Sequence, residues 1–275
     1  MKKNLLLTIA CCVVFSITQA QLKTPQPSPT QTISQNFGIS NIELSYSRPG
    51  MKGRKIFGDL VPFGSVWRTG ANQATTISFG DEVSIGGTKI PAGKYGLLSI
   101  PEKDNWTVII TRLDTANQGA YNKNNDVARV NVKPAKTQTP VESFTIMFAN
   151  VKPTSCELHM QWENTDVSLP ITTDVDTKVM AQISTAMTSD KPPYFEAASY
   201  YFENGKDVKQ AKEWAMKAVE KDPQFYVVHL LARIQAKSGD KAAAIESAKK
   251  SIELSKVAKN EDYVRLNEKL IASLK

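Results

Sequence analysis

The polar and apolar positions divide the chain into two parts with different periods. From about residue 32 to residue 172, short apolar runs alternate with polar residues between Gly, Pro and Asn, which is typical of antiparallel strands. Turn residues such as Gly86-Gly87 and Pro91-Ala92-Gly93 punctuate this pattern. We expect an antiparallel β-sandwich of jelly-roll-like form. The clearest predicted strands cover residues 39–47, 74–79, 95–100, 106–112, 143–149, 157–162 and 167–171.

Beyond residue 174 the apolar positions recur at helical spacing, and caps and breakers such as Asn204-Gly205 and Asp222-Pro223 separate the periodic segments. The predicted helices cover residues 176–188, 194–203, 208–221, 224–238, 241–256 and 261–274. The chain is therefore expected to be an α+β protein of two domains. A β-sandwich over residues 32–173 is followed by an all-α helical hairpin array over residues 174–275.

Small residues in the helical part recur at about one repeat length. They are Ala211, Ala215 and Ala218 before Pro223, and Ala244, Ala248 and Ser251 after Gly239. This segment, residues 194–255, resembles tetratricopeptide repeats, in which small side chains let paired helices approach closely. The resemblance implies a surface for a protein partner on the helical tail.

The first residues have the features of an export signal. Lys2 and Lys3 precede an apolar run over residues 5–17, and Thr18-Gln19-Ala20 fits a cleavage site, so residues 1–20 are predicted to be a signal peptide. Acylation at Cys11 or Cys12 is the alternative fate of this segment. Residues 21–31 are predicted to be an extended, Pro-rich leader. We expect a periplasmic or secreted protein with no membrane span in its mature chain.

Charge and cysteine content restrict the possible partners. The formal net charge is +7, and removal of Lys2 and Lys3 lowers it to +5, spread over both halves of the chain. No cluster of cations with stacking aromatic residues is present, so we expect no nucleic-acid partner. Cys156 is the only cysteine after residue 20, which excludes an intramolecular disulfide in the mature chain.

Two segments in the β-rich part resemble a known family. They are residues 47–77, which contain Ser47-Arg48-Pro49-Gly50 and Trp67-Arg68-Thr69-Gly70, and residues 90–97, which begin Ile90-Pro91-Ala92-Gly93. They resemble the bacterial domain-of-unknown-function family numbered 2911, which is common in exported proteins of Bacteroidetes-type bacteria. The resemblance extends over residues 28–151. It implies a β-rich fold and an exported location, and it carries no catalytic residue over.

The best candidate site lies in the same segment. Cations are concentrated between Arg48 and Arg68, where Asp59 is the only carboxylate. Loops held by a rigid sheet commonly carry binding groups, and guanidinium groups match the oxygens of carboxylate, phosphate or sulfate. A polar or anionic ligand is predicted to bind at Arg48, Lys52, Arg54, Trp67, Arg68 and Asn72. Phe63, Tyr95 and Trp106 are candidates for an aromatic wall beside Trp67.

A structural role for these residues is the competing interpretation. Arg68 and Asn72 are residue types that satisfy loop carbonyl groups which no strand reaches, so both are also candidates for a buried brace. Lys52, Arg54 and Lys55 are then expected to lie on a solvated loop. These two interpretations differ in whether the guanidinium of Arg68 faces a pocket or is consumed by backbone carbonyls.

The sequence contains no motif for most kinds of catalysis. Cys156 and His159 are three residues apart on one predicted strand, which places them on opposite faces, and His229 has no ligand-type neighbour on its helix. No metal site or cofactor is predicted, and the catalytic residues, if any, are unknown. Paired carboxylates remain open for acid-base chemistry. The candidates are Glu43, Asp81, Glu82, Asp114, Asp126, Glu142 and Glu163.

The sequence thus favours a non-enzymatic envelope protein that binds a ligand or braces an assembly. The alternative is a carboxylate-dependent enzyme acting on envelope glycans, which two carboxyl groups near Arg68 would favour. Pure scaffolding, with the Arg-Trp segment buried and no pocket beside it, is the third possibility.

Overall fold

The computed structural model describes residues 24–112 and 121–275. These residues divide into two compact units, with the boundary between Asp174 and Val175. The predicted signal peptide over residues 1–20 lies outside the described ranges, as do the first three residues of the predicted leader. The signal peptide therefore stays a prediction.

The first unit contains two antiparallel sheets, which confirms the predicted sandwich. One sheet has the order β1-β2-β3-β6-β7-β8 and the other the order β5-β4-β10-β9, with the strands defined as follows. They are β1 (Thr30–Phe37), β2 (Ser40–Ser47), β3 (Thr75–Phe79), β4 (Val83–Ile85), β5 (Thr88–Ile90), β6 (Gly93–Ile100), β7 (Trp106–Thr111), β8 (Asp126–Val132), β9 (Ala135–Ala149) and β10 (Ser155–Thr172).

Buried and exposed residues alternate along the strands, and the buried ones form one core between the two sheets. In β2, Ile42, Leu44 and Tyr46 are buried while Glu43 is exposed, as expected for a strand with one face against a core. The other sheet supplies residues such as Phe144 and Leu158 to the same cluster. The core is thus made of alternate positions from both sheets.

The predicted turn at Gly86-Gly87 is confirmed by the backbone. Gly86 and Gly87 connect β4 to β5 with φ angles of 58° and 82°, a left-handed conformation that favours glycine. A Cβ atom on Gly86 would lie 2.6 Å from Cγ2 of Val130, so this position also requires a residue without a side chain.

Strand β10 contains both of the strands predicted over residues 157–162 and 167–171. Its two ends lie side by side, because the N–H of Thr173 donates to the carbonyl of Thr154 at 3.0 Å. Between them, Glu163 has a φ of 54° and the pairing with β9 shifts register on both sides of it. The chain therefore doubles back near Glu163, which brings side chains from the two halves of β10 together.

The second unit is formed by helices close to those predicted. They are α1 (Asp176–Ala186), α2 (Tyr194–Glu203), α3 (Val208–Lys221), α4 (Phe225–Lys237), α5 (Lys241–Val257) and α6 (Glu261–Leu274). Side chains of Asp207, Asp240 and Asn260 accept backbone N–H groups at the starts of α3, α5 and α6. Within residues 24–112 and 121–275, no helix is long and apolar enough to cross a membrane.

Small side chains allow the helices of this unit to pack closely. Ala198, Ala211, Ala215, Ala244 and Ala248 are each 0% exposed. The first three lie in a cluster with Leu230, Leu231 and Ile234. Ala211, Ala215, Ala244 and Ala248 are among the positions at which the sequence resembles a tetratricopeptide repeat.

Candidate ligand-binding site

The loop between β2 and β3 carries all of the predicted site residues and is fixed to both sheets. Trp67 exchanges two backbone hydrogen bonds with Ser99 of β6, at 2.7 and 3.0 Å. At its other end, the N–H of Met51 donates to Glu142 O at 2.8 Å, and the N–H of Phe144 donates to Pro49 O at 2.9 Å. A loop anchored at both ends to different sheets presents its side chains in fixed positions.

Trp67 is part of the sandwich core and does not form an exposed aromatic surface. It is 8% exposed, its ring is stacked on Trp162 with centroids 6.0 Å apart, and its indole N–H donates to Gly70 O at 3.0 Å. Tyr95 and Trp106 are 7% and 2% exposed. The proposed aromatic wall of Tyr95 and Trp106 is therefore wrong, because both rings fill the interior.

A pocket of about 530 Å³ opens beside Trp67 and contains four of the six predicted site residues. Arg54, Arg68 and Asn72 contribute polar atoms, together with Ser28 of the leader and Ser65. Leu60, Pro62 and Val66 contribute apolar surface. Trp162, which is distant in sequence, lines the pocket beside Trp67 and was not foreseen as a site residue.

Each guanidinium group of the pocket donates only some of its hydrogens within the described part of the chain. Nη1 of Arg68 donates to Asn72 O at 2.7 Å. Arg54 donates through Nε to Met51 O at 2.9 Å and through Nη2 to Gly50 O at 2.7 Å. Since a guanidinium has five N–H donors, both groups combine structural hydrogen bonds with donors that have no partner among the described residues.

Asn72 links the pocket to the leader. Its Nδ2 donates to Ser28 O at 3.1 Å, and its backbone has a φ of 55°. Asn tolerates this left-handed conformation better than most residues. Asn72 therefore has a clear structural function, and its side chain holds Ser28 at the edge of the pocket.

Arg48 and Lys52 do not line this pocket; they line a second pocket of about 310 Å³, together with Glu142 and Ser143. The guanidinium of Arg48 donates to Phe144 O at 3.2 Å and to Thr145 Oγ1 at 2.9 Å. It therefore braces the end of β2 against β9. The structure divides the predicted site into two groups, which residue spacing alone did not indicate.

The cysteine and the first histidine lie on opposite faces of β10, as predicted. Cys156 is 2% exposed on the core side, and burial, with a smaller contribution from Glu157, raises the pKa of its thiol to about 11. Such a thiol is a poor nucleophile at neutral pH. Within residues 24–112 and 121–275 there is no group of three or more side chains with the geometry of a metal site.

His159 belongs to a polar cluster that the sequence analysis missed. Its Nδ1 lies 3.0 Å from both carboxylate oxygens of Asp166, and its Nε2 lies 3.1 Å from Oε2 of Glu157. Burial acts to lower the pKa of His159, but the hydrogen bonds to Asp166 and Glu157 outweigh it and raise the pKa above 6.5. The cluster forms because β10 doubles back near Glu163, and no glycine marks that reversal in the sequence.

We expect the stability of the sandwich to depend on pH through this cluster. The raised pKa of His159 gives a stabilisation that is fully present below about pH 6.5 and is lost as pH rises through the folded-state pKa. In His159→Gln this part of the pH dependence should disappear, which urea unfolding between about pH 5 and pH 9 will measure.

Lys89→Gln is the control, since it removes an exposed ion pair with Glu82 on the same unit. It should leave the pH profile of the wild type in place. The prediction would be contradicted if the free energy of unfolding changed with pH in the same way in the wild type and in His159→Gln.

Each of the two parts of the chain matches the model of a known protein family. The family model described as "Protein of unknown function (DUF2911)" matches residues 28–171, and a tetratricopeptide repeat model matches residues 226–257, which contain most of α4 and all of α5. Both resemblances found in the sequence are thereby confirmed. No curated protein and no solved structure matches the chain. The first family model spans more than half of the chain, which therefore belongs to the DUF2911 family of proteins of unknown function.

Proposed function

We propose that this chain is an exported, non-enzymatic envelope protein. Its sandwich binds a small anionic ligand in the pocket of Arg54, Arg68 and Asn72, and its helical unit binds another protein. The observation that carries the ligand proposal is the placement of Arg68, which lines an open pocket while only Nη1 is bonded within the described residues. Guanidinium groups that keep donors toward a pocket favour carboxylate or phosphate oxygens.

The electrostatics of the pocket support an anion. Arg54 and Arg68 both line it, and its described lining residues include no Asp or Glu. Two positive charges without a carboxylate between them attract an anionic ligand, and partial enclosure strengthens that attraction relative to open water. The glycan-cleaving alternative required two carboxyl groups near Arg68, and the described lining supplies neither of them.

The protein-binding part of the proposal rests on the helical unit. It contains a tetratricopeptide repeat, an architecture that suggests protein interaction. An apolar pocket of about 650 Å³ lies beside α3, where the side chain of Met216 is 52% exposed. Flexible, exposed methionine is common on protein-binding surfaces.

The ligand site is tested by Arg68→Lys, which keeps the charge and removes the planar fork. We expect phosphate, sulfate or a uronic acid to raise the melting temperature of the wild-type chain, and neutral glycans to have no effect. Loss of one or two charge-assisted hydrogen bonds should weaken binding of the active anion about 10- to 100-fold in the variant.

Lys55→Gln is the matched control, because it removes a charge from the same loop at an exposed residue that does not line the pocket. It should bind the anion as the wild type does. If no anion shifts the melting temperature and Arg68→Lys itself melts far below the wild type, Arg68 is a structural brace and the proposal fails.

A further inference from the structure

The residues that line the pocket beside Arg68 are of two chemically different kinds. They include the polar Arg54, Arg68 and Asn72 and the apolar Leu60, Pro62 and Val66. Leu60 is 44% exposed, although large apolar side chains are usually inside. An exposed leucine thus lies in the lining of a pocket that is otherwise identified by its positive charge.

Leu60 is held in this position by the backbone of its own turn. The N–H of Val61 donates to Ile56 O at 2.9 Å, and the N–H of Gly58 donates to Val61 O at 2.9 Å. Ile56 and Val61 on either side are 0% and 5% exposed, so they anchor the turn in the core. Because its neighbours are fixed, Leu60 remains at the pocket edge without a ligand to cover it.

From the presence of both kinds of lining residue we infer that the ligand is an amphiphilic anion, a carboxylate or phosphate head group attached to an apolar body. This inference rests on the proposed anion site and specifies its ligand class. The head group receives hydrogen bonds from Arg68 and Arg54, while the apolar body covers Leu60, Pro62 and Val66. A volume of about 530 Å³ accommodates a small organic molecule of this kind.

Other anions use only part of the pocket. Inorganic phosphate or sulfate contacts the guanidinium groups and leaves Leu60 in water. A uronic acid carries hydroxyl groups around its ring, and those against the apolar lining residues would lose their hydrogen bonds to water without replacement. An amphiphilic anion pairs its charge with the arginines and removes the apolar surface of the lining from water.

The test is a series of straight-chain carboxylates, namely acetate, butyrate, hexanoate and octanoate. Each is titrated into the full chain without the predicted signal peptide, at concentrations at which the carboxylates remain monomeric, and binding is followed by NMR and calorimetry. Affinity should rise up to about fourfold for each methylene group that the apolar lining residues cover. Hexanol, which has the same tail and no charge, should bind at least tenfold more weakly than hexanoate.

Two variants separate this inference from the proposed function. In Leu60→Ser the affinity should depend less on the chain length of the carboxylate. In Arg68→Lys the affinity for every carboxylate should fall by a similar factor. Anion binding that requires Arg68 but shows no chain-length dependence would overturn the amphiphile inference and leave the anion site. Absence of any binding that depends on Arg68 would overturn both.

The control is an exposed apolar residue of the helical unit. Val257 is 84% exposed and does not line the pocket, so Val257→Ser removes apolar surface outside the candidate site. It should keep the chain-length dependence of the wild type. Loss of that dependence in Val257→Ser, with Leu60→Ser unchanged, would overturn the inference.

Discussion

Trp162→Ala is expected to lower the free energy of unfolding of the sandwich by about 3–5 kcal/mol. Trp162 is 2% exposed and its ring lies 6.0 Å from that of Trp67 and 5.7 Å from that of Phe144. Its indole N–H also donates to Glu142 O at 3.2 Å. Alanine creates a large cavity among these rings and removes one of the two hydrogen bonds that Glu142 O accepts, the other coming from the N–H of Met51. Both effects destabilise the folded state.

Urea unfolding followed by tryptophan emission measures this effect. Trp67 and Trp106 remain in the variant and report on the sandwich, whereas Trp214 is the only tryptophan of the helical unit. Trp162→Phe keeps a ring in the cluster and should lose less stability than Trp162→Ala. Met147→Ala is the surface control, since Met147 on β9 is 38% exposed, and it should change stability by less than about 0.5 kcal/mol. A loss below about 1 kcal/mol for Trp162→Ala would contradict this view of the core.

The helices could be predicted accurately because their ends are encoded locally. The predicted bounds of α2, α3 and α6 coincide with those in the structure. Asp207 and Asn260 cap the starts of α3 and α6 with their side chains, while Gly205, which follows α2, has a φ of 64°. Such signals depend on a few adjacent residues and need no knowledge of the tertiary fold.

Three of the strands that the sequence analysis omitted lack this local information. β1 (Thr30–Phe37) lies at the edge of its sheet, pairs with β2 alone among the described strands and carries mostly polar residues, so its alternation is weak. β4 and β5 are three residues each, too short for a periodic pattern even though the turn between them was predicted. The reversal near Glu163 uses a residue type that seldom adopts positive φ.

Composition identified the candidate loop, but it did not determine which cations face the same pocket. Arg48 and Arg68 have the same side chain, yet Arg48 binds β9 and Arg68 lines the larger pocket. Their separation depends on the path of the loop, including positive φ angles at Lys52, Thr69 and Asn72. Trp162 joins the pocket only through the pairing of the two sheets, which is a long-range consequence of folding.

A buried polar network fixes the last helix of the helical unit. Asn267 on α6 is 0% exposed, and its Nδ2 donates to Ser251 Oγ at 2.8 Å and to Tyr263 O at 2.7 Å. Its Oδ1 lies 2.8 Å from Nδ1 of His229 on α4. Because Nδ2 is occupied as a donor, Oδ1 accepts from His229. One side chain therefore joins α4, α5 and α6.

We expect Asn267→Ala to lower the free energy of unfolding of the helical unit by about 2–3 kcal/mol, because it removes the side-chain hydrogen bonds to His229, Ser251 and Tyr263 from a position that is 0% exposed. Hydrogen exchange followed by mass spectrometry should show faster exchange along α6, while the strands of the sandwich keep their protection. Leu266→Ala is the matched control on the neighbouring residue, which is 47% exposed, and it should have a much smaller effect. If α6 kept its protection in Asn267→Ala, apolar packing alone would hold this helix, and the network would contribute no stability to the unit.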